Sequence, residues 1–403
     1  MALIQTIRKE KQILYLALSA AIRGCRDNLR QVVWQPFALS LGVPMSSIGA
    51  LESLMDLAKT AVQPVFGAAS DVYGRKRFLI LREALILAAG VCFLLARSWT
   101  LLALGMTLIG FSAALYPVYS SLVAESAKGY EMGLVYSVMG SCYMGMGLVG
   151  TLSAGYLAEA YGYSAVFVVS TVLAVSALAV TVFLISETHT GSRPGFPLAE
   201  AFKSFVDTFR PPRYLWGFYA AMSVDLFAFS LGWRLINGML SKSFGYSPYM
   251  LGILSSLSYG VQAVFQVILG QYVDRVGYVK YLAASQCLSC CLIAMMLWNQ
   301  SFAVAAAANI VMGVSAALWS PAEQAWIARN TDPGERGKAI GGYNTFRGLV
   351  ALPAPIIGGV VYDRFGFHLP LTLNLALAAV DVGLLVFLVK EKARPNEEGP
   401  LDR

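Results

Sequence analysis

Twelve apolar stretches recur along this chain, at roughly 13–40, 46–68, 78–98, 101–124, 134–160, 164–186, 213–240, 248–271, 280–298, 301–326, 339–362 and 369–389. Most match or exceed the ~20 residues that an α-helix needs to cross the hydrocarbon of a bilayer. Composition agrees: 57% of the residues are hydrophobic and 13% are charged, against ~45–50% and ~25% in soluble domains. A soluble core cannot hide that much apolar surface, which excludes a globular cytosolic enzyme; disorder and collagen-like structure are excluded by the same figures. The expected fold is an all-α membrane protein of twelve transmembrane helices with short loops.

The basic residues orient it. With the amino terminus inside, twenty Lys and Arg fall on inner segments and three (Arg97, Lys242, Arg364) on outer loops. This positive-inside bias puts both termini in the cytoplasm of a multi-pass protein of the cell (plasma or inner) membrane. Arg8, Lys9 and Lys11 lead into a span that itself carries charges, so the first apolar run reads as a span, not a cleaved signal. The six cysteines all fall in apolar runs and read as reduced, small, buried side chains.

The chain also repeats itself. Gly42, Gly49, Asp71 and Gly74 recur as Gly245, Gly252, Asp274 and Gly277 at an offset of 203, and Pro117, Gly155 and Gly162 recur as Pro321, Gly359 and Gly366 at 204. The expected division is an N-terminal six-helix bundle over 1–186, a cytoplasmic linker over 187–212, a pseudo-symmetric C-terminal bundle over 213–390 and a cytoplasmic tail over 391–403. In the linker, Leu198, Phe202, Phe205 and Phe209 repeat at spacings of 4, 3 and 4. That pattern suits a short amphipathic helix on the membrane surface; a flexible linker is the alternative.

Between spans two and three the sequence reads GAASDVYGRKR, Gly67 to Arg77, and the second half carries a shorter copy, GQYVDRVG, Gly270 to Gly277. This resembles the signature loop of the major facilitator superfamily, and with the span count and the repeat the resemblance covers nearly the whole chain. It implies secondary transport by alternating access, with Gly67, Asp71, Gly74, Arg75, Asp274, Arg275 and Gly277 as gating residues. Asp71 is expected at the positive amino terminus of a neighbouring helix. The resemblance further implies an Asp71–Arg75 latch that holds an outward-open state; the plainer alternative is that the basic trio only sets topology. Two features depart from the drug-exporting branches. Gly105 stands where many carry an arginine in span four, and span five has glycines but no proline.

Charge inside hydrocarbon costs at least ~2.5–3.5 kcal/mol per residue, so it needs partners or water. Span one holds Arg23, Arg26, Asp27, Arg30 and Gln31; span two holds Glu52, Asp56 and Lys59. The pattern suits a charged layer between these two spans; the alternative is that the groups pair among themselves to hold the helices together, Asp27 with an arginine and Asp56 with Lys59. Asp225 and Arg234, Gln262 and Gln266, Arg347 and Asp381 follow in the second half. Six deep bases against five deep acids leave a modest positive excess, suited to a carboxylate, phosphate or sulfate.

The candidate substrate-binding residues are therefore Arg23, Arg26, Arg30, Gln31, Trp34, Tyr143, Arg234, Gln262, Trp319 and Arg347, with Trp233 as a further aromatic. Core packing is the alternative for the aromatics. Asp27, Glu52, Asp56 and Lys59 are the candidate proton-coupling residues, because an acid whose surroundings change as access alternates can bind and release a proton. Glu125 and Glu323, near the inner ends of spans four and ten, are candidates for gating pairs. No phosphate-binding loop, nucleophile–base pattern or membrane-embedded histidine is present, so neither enzyme chemistry, nor ATP, nor a metal, nor a cofactor is expected.

The preferred reading is a proton-coupled transporter of a small organic anion or zwitterion, monomeric in the lipid bilayer, with no nucleic-acid partner. Its rivals are a multidrug or lipophilic-cation efflux pump using Glu52 and Asp56, and a lipid flippase or non-transporting sensor on the same fold.

Overall fold

The computed structural model describes residues 2–127, 132–188, 213–270, 272–331 and 336–389. The linker stripe from Leu198 to Phe209 and the tail lie outside the described residues. Every apolar stretch becomes helix, and no strand occurs among the described residues. Spans one to three are Ala2–Ser40, Met45–Tyr73 and Arg75–Leu95. Span four is Trp99–Ala113 followed by Tyr116–Ser126, and spans five and six are Met132–Tyr161 and Tyr163–Phe183. Span seven is Trp216–Leu231 followed by Ile236–Phe244. Spans eight to ten are Pro248–Gly270, Tyr278–Trp298 and Phe302–Asn330. Span eleven is Arg336–Ala351 followed by Ala354–Phe365, and span twelve is His368–Leu388.

By length and hydropathy alone eight of these qualify as membrane spans. The other four are spans one, two, five and seven. Spans one and two carry the charge clusters, span five is glycine-rich, and span seven is interrupted.

Three spans are broken where the sequence suggested continuous runs. Pro117 and Pro353 lack the amide hydrogen a helix interior needs, and each sits where a second segment begins. Span seven breaks at Gly232 and passes through a 3₁₀ turn, Trp233–Leu235. Pro36, Pro64 and Pro321, in contrast, lie inside uninterrupted helices.

The repeat is visible in backbone geometry. Positive φ occurs at Gly42, Gly74 and Gly162, and again at Gly245, Gly277 and Gly366. Three turns of one half therefore recur at the offset of the other, and each needs a residue without Cβ. All six cysteines are free, but Cys287 and Cys291 are exposed on the helix surface, which corrects the expectation that all are buried.

The halves cross at two related places. Span two meets span eleven where a Cβ added to Gly49 would lie 2.0 Å from the Pro355 carbonyl, and one on Gly359 would lie 2.2 Å from that of Met45. Span eight meets span five where a Cβ on Gly252 would lie 2.8 Å from the Thr151 carbonyl, and one on Gly155 would lie 2.7 Å from that of Pro248. Gly49 corresponds to Gly252 by the repeat, and Gly155 to Gly359. Only bare backbone permits this approach.

Five helical turns further along the same faces are Gly67 and Gly270, ~27 Å away. A Cβ built on either meets nothing within 4 Å among the described residues. The halves are thus tight at the end holding Gly42 and Gly245, and diverge toward the end holding the Gly67–Arg77 loop.

Candidate functional site

The tight end is held by charge as well as by packing. Asp363, at the end of span eleven, accepts from the amides of Met45 (3.3 Å) and Ser46 (2.8 Å) at the start of span two, and from Lys242 Nζ at 3.0 Å. Glu159, at the end of span five, accepts from the amide of Tyr249 (3.2 Å) at the start of span eight. Each acid sits on the positive amino terminus of a helix from the other half, where unpaired N–H groups need acceptors. Glu159 and Asp363 obey the same offset of 204 as the glycines, a signal available in the sequence but not used there.

Below these caps, Arg234 joins the halves. Its guanidinium meets Glu52 at 2.6 Å and Asp56 at 2.5 Å, both on span two. The break in span seven frees backbone groups beside it, and Gln35 satisfies them. The Gln35 side chain donates to the Arg234 carbonyl at 2.9 Å and accepts from the Gly238 amide at 2.9 Å. Glu52 has 1% side-chain exposure, so this bridge is shielded from solvent. Asp56 pairs with Arg234 and not with Lys59, the alternative partner: a two-point contact between guanidinium and carboxylate outcompetes a neighbour on the same helix.

Spans one and two make no ion pair with each other among the described residues, although Gln35 reaches Glu52 at 3.4 Å and Arg30 lies within electrostatic reach of it; the ion pair that span one makes with another span goes to span three. Arg26 reaches Asp27 at 2.9 Å and Glu83 at 2.5 Å, and Arg82 reaches Glu83 at 2.6 Å. Arg23 lies over the Tyr119 ring, 3.8 Å from its centroid, and donates to the Ser19 carbonyl. Asp27 thus finds its arginine partner in Arg26. Arg82 and Glu83, absent from the candidate residues, sit side by side in the run LREALIL, where two adjacent opposite charges inside a span were the available signal.

In the second half Glu323 pairs with Arg347, and accepts from Tyr343 Oη at 2.5 Å and from Trp319 Nε1 at 3.1 Å. Asp225 and Asp381 share the amide of Gln286. Arg30 and Lys59 differ from all of these: neither makes an ion pair or side-chain hydrogen bond among the described residues. Arg30 is half-buried and acts electrostatically on Asp27, Tyr143 and Glu52. Lys59 is exposed on span two, within electrostatic reach of Asp56, Arg234 and Arg347.

Tyr143 and Gln262 are half-buried and Gln31 is exposed. Trp34 is 2% exposed in the apolar core and Trp233 8% exposed, so both pack rather than present open ring faces.

At the diverging end, Asp71 meets Arg75 at 3.3 Å and Arg75 meets Glu125 at 2.9 Å. The amino terminus of span three is capped by Glu187, which accepts from the amides of Arg75 (3.0 Å) and Lys76 (2.9 Å). Gly74 and Gly277 take φ of 93° and 109° and make the two turns. Arg275 is exposed; the side chain of Asp274 lies outside the described residues.

Two related halves of apolar helices with ion pairs buried inside their spans define a polytopic membrane protein. The sequence profile of the Major Facilitator Superfamily matches residues 16–233 and 222–402, and the chain belongs to that family. It is 24% identical over 361 residues to the multidrug resistance protein MdtG of Proteus mirabilis, covering 88% of this chain and 85% of the relative. It is 26% identical over 328 residues to the class C tetracycline resistance protein of Escherichia coli, covering 79% and 80%.

Among solved structures, the human organic anion transporter MFSD10 (TETRAN) superposes with a TM-score of 0.69 at 18% identity, over 94% of this chain and 99% of that one. The nucleoside transporter NupG superposes with 0.71 at 14% identity, over 94% and 100%. The protein is a multi-pass membrane transporter of the Major Facilitator Superfamily.

Proposed function

We propose that the protein is a secondary transporter that moves a small organic anion or zwitterion by alternating access, coupled to protons. One observation carries the substrate class: Arg30 and Lys59 are charged, lie within the intramembrane charge layer and have no ion-pair partner among the described residues. Unpaired charge inside a membrane is costly enough to need a counter-ion or water, and an anionic substrate supplies the first. Arginine offers a carboxylate or phosphate two parallel donors and lysine adds a point charge. Tyr143, within electrostatic reach of Arg30, supplies a neutral donor there.

With both termini cytoplasmic, as the distribution of basic residues implies, the tight end faces outward and the diverging end inward. The state is then inward-facing. Transport consists of breaking the Arg234 bridge and the two acid caps while the Gly67–Arg77 end closes, so that the halves rock about the central site. On this reading the Asp71–Arg75 pair, present here at 3.3 Å, does not by itself hold the outward-open state. The division at 1–186, 187–212, 213–390 and 391–403, and action as a monomer, belong to the same proposal.

A second reading, export of lipophilic or cationic compounds, is favoured by the names of the sequence relatives. It requires Glu52 and Asp56 as cation ligands, and both are held by Arg234 here.

Thermal stabilisation of the purified protein by a panel of organic anions, zwitterions and lipophilic cations separates the two. The proposal expects stabilisation by anions or zwitterions that is lost in Arg30→Ala. Stabilisation by cations alone, or equally in Arg30→Ala, contradicts it.

A further inference from the structure

Most acids in the spans of this protein face an arginine: Asp27 and Glu83 meet Arg26, Glu52 and Asp56 meet Arg234, and Glu323 meets Arg347. Asp225 on span seven and Asp381 on span twelve form no such pair among the described residues. Between them stands Gln286 of span nine, whose single amide nitrogen donates to Asp225 Oδ1 at 2.8 Å and to Asp381 Oδ2 at 2.6 Å. Both hydrogens of that amide are then used. The other oxygen of Asp381 has no hydrogen-bond partner among the described residues, although the residue is 0% exposed.

Other titratable groups do not resolve the imbalance. Glu323 and Arg347 act on Asp225 from spans ten and eleven, but they pair with each other. The Cys290 thiol of span nine is the further titratable group near Asp381. The two carboxylates thus share one neutral donor, and one fully buried carboxylate oxygen has none; a proton on a carboxylate oxygen supplies the missing donor.

Space for water lies beside Asp225. A crevice with about 40 Å³ of space, enough for a few water molecules, is lined by Asp225, Gln286, Ser289 and Asn374 among apolar side chains that include Trp233. It adjoins the break in span seven. With its amide turned to suit its neighbours, Asn374 donates to the Ala228 carbonyl and accepts from the Trp233 amide, 3.1 Å each, and so bridges the interrupted turn.

We propose that Asp225, Gln286 and Asp381 form a proton-binding site of the C-terminal half, one proton being held between the two carboxylates and exchanged through the crevice. Binding forms one O–H bond on a carboxylate oxygen, release breaks it, and water carries the proton in both directions. This rests on the proton-coupled reading above for its use in transport, and moves the coupling role away from Asp27, Glu52 and Asp56, which arginines already neutralise.

Infrared titration of the purified protein in liposomes, with the proton itself as probe, tests the site without any cargo. The expected result is a protonated-carboxyl band near neutral pH that is absent from Asp225→Asn/Asp381→Asn. Asparagine has nearly the shape of the neutral acid, so this variant should fold. Should it not, Asp225→Asn alone must shift the band or its titration. A wild-type protein without the band, or a band unchanged in the variants, overturns the proposal. Failure of the anion reading leaves the band untouched, so the two outcomes are distinguishable.

Discussion

Removing the Arg234 side chain should release the tight end. Arg234 faces two carboxylates, and Glu52 is 1% exposed while Asp56 is 21% exposed. Breaking a buried pair by deleting one partner costs ~3–5 kcal/mol, because a charge is left uncompensated. Asp56 is partly wet and Gln35 still reaches Glu52 at 3.4 Å, so the lower half of that range applies. At ~1.4 kcal/mol per factor of ten, ~3 kcal/mol shifts the ratio of closed to open molecules by roughly a hundredfold.

Ser53, beside Glu52 and 5% exposed, is the reporter position. In a cysteine-free background, Ser53→Cys in proteoliposomes should react slowly with a membrane-impermeant maleimide. Adding Arg234→Ala should raise the rate by one to two orders of magnitude. The further changes Glu52→Gln and Asp56→Asn should bring it back down, since neutral partners no longer need the arginine. Labelling that stays slow in a folded Arg234→Ala protein would refute the reasoning. So would fast labelling that persists after both acids are neutralised, because the bridge would then act by shape and not by charge.

Gly49→Ala should raise labelling at the same reporter, as its Cβ would lie 2.0 Å from the Pro355 carbonyl, whereas Gly67→Ala on the same face, with nothing within 4 Å, should not. Asp363→Asn removes a charge from the start of span two, an effect worth ~0.3–1 kcal/mol; labelling should rise only a few-fold, and Glu159→Gln should add to it independently, being at the other crossing. Asp71→Asn should lower transport in whole cells while membrane insertion, followed by immunoblot, is unchanged.

How much of this was legible in the sequence differs by level. The twelve spans were readable because hydropathy is a local property, and each predicted range contains the core of an observed span. The repeat was readable because turns need glycine: Gly42, Gly74 and Gly162 and their counterparts mark the same bends in both halves. Charge partners were not, since pairing depends on depth and on which helices touch. Asp56 has Lys59 three residues away, yet binds Arg234, which lies 178 residues away. For Glu83 the adjacent Arg82 was legible in the sequence, but the Arg26 partner, 57 residues away, was not. Proline position alone did not separate breaks from tolerated kinks either. Pro117 and Pro353 begin new segments, whereas Pro36, Pro64 and Pro321 stay within continuous helices whose lost hydrogen bonds neighbouring spans can offset.

The most direct test is uptake into proteoliposomes of radiolabelled organic anions and, in parallel, lipophilic cations, each with and without an imposed pH gradient. The account predicts that anions or zwitterions accumulate, that the gradient drives them, and that Arg30→Ala or Lys59→Ala abolishes the accumulation. Movement of lipophilic cations with no movement of anions would contradict it.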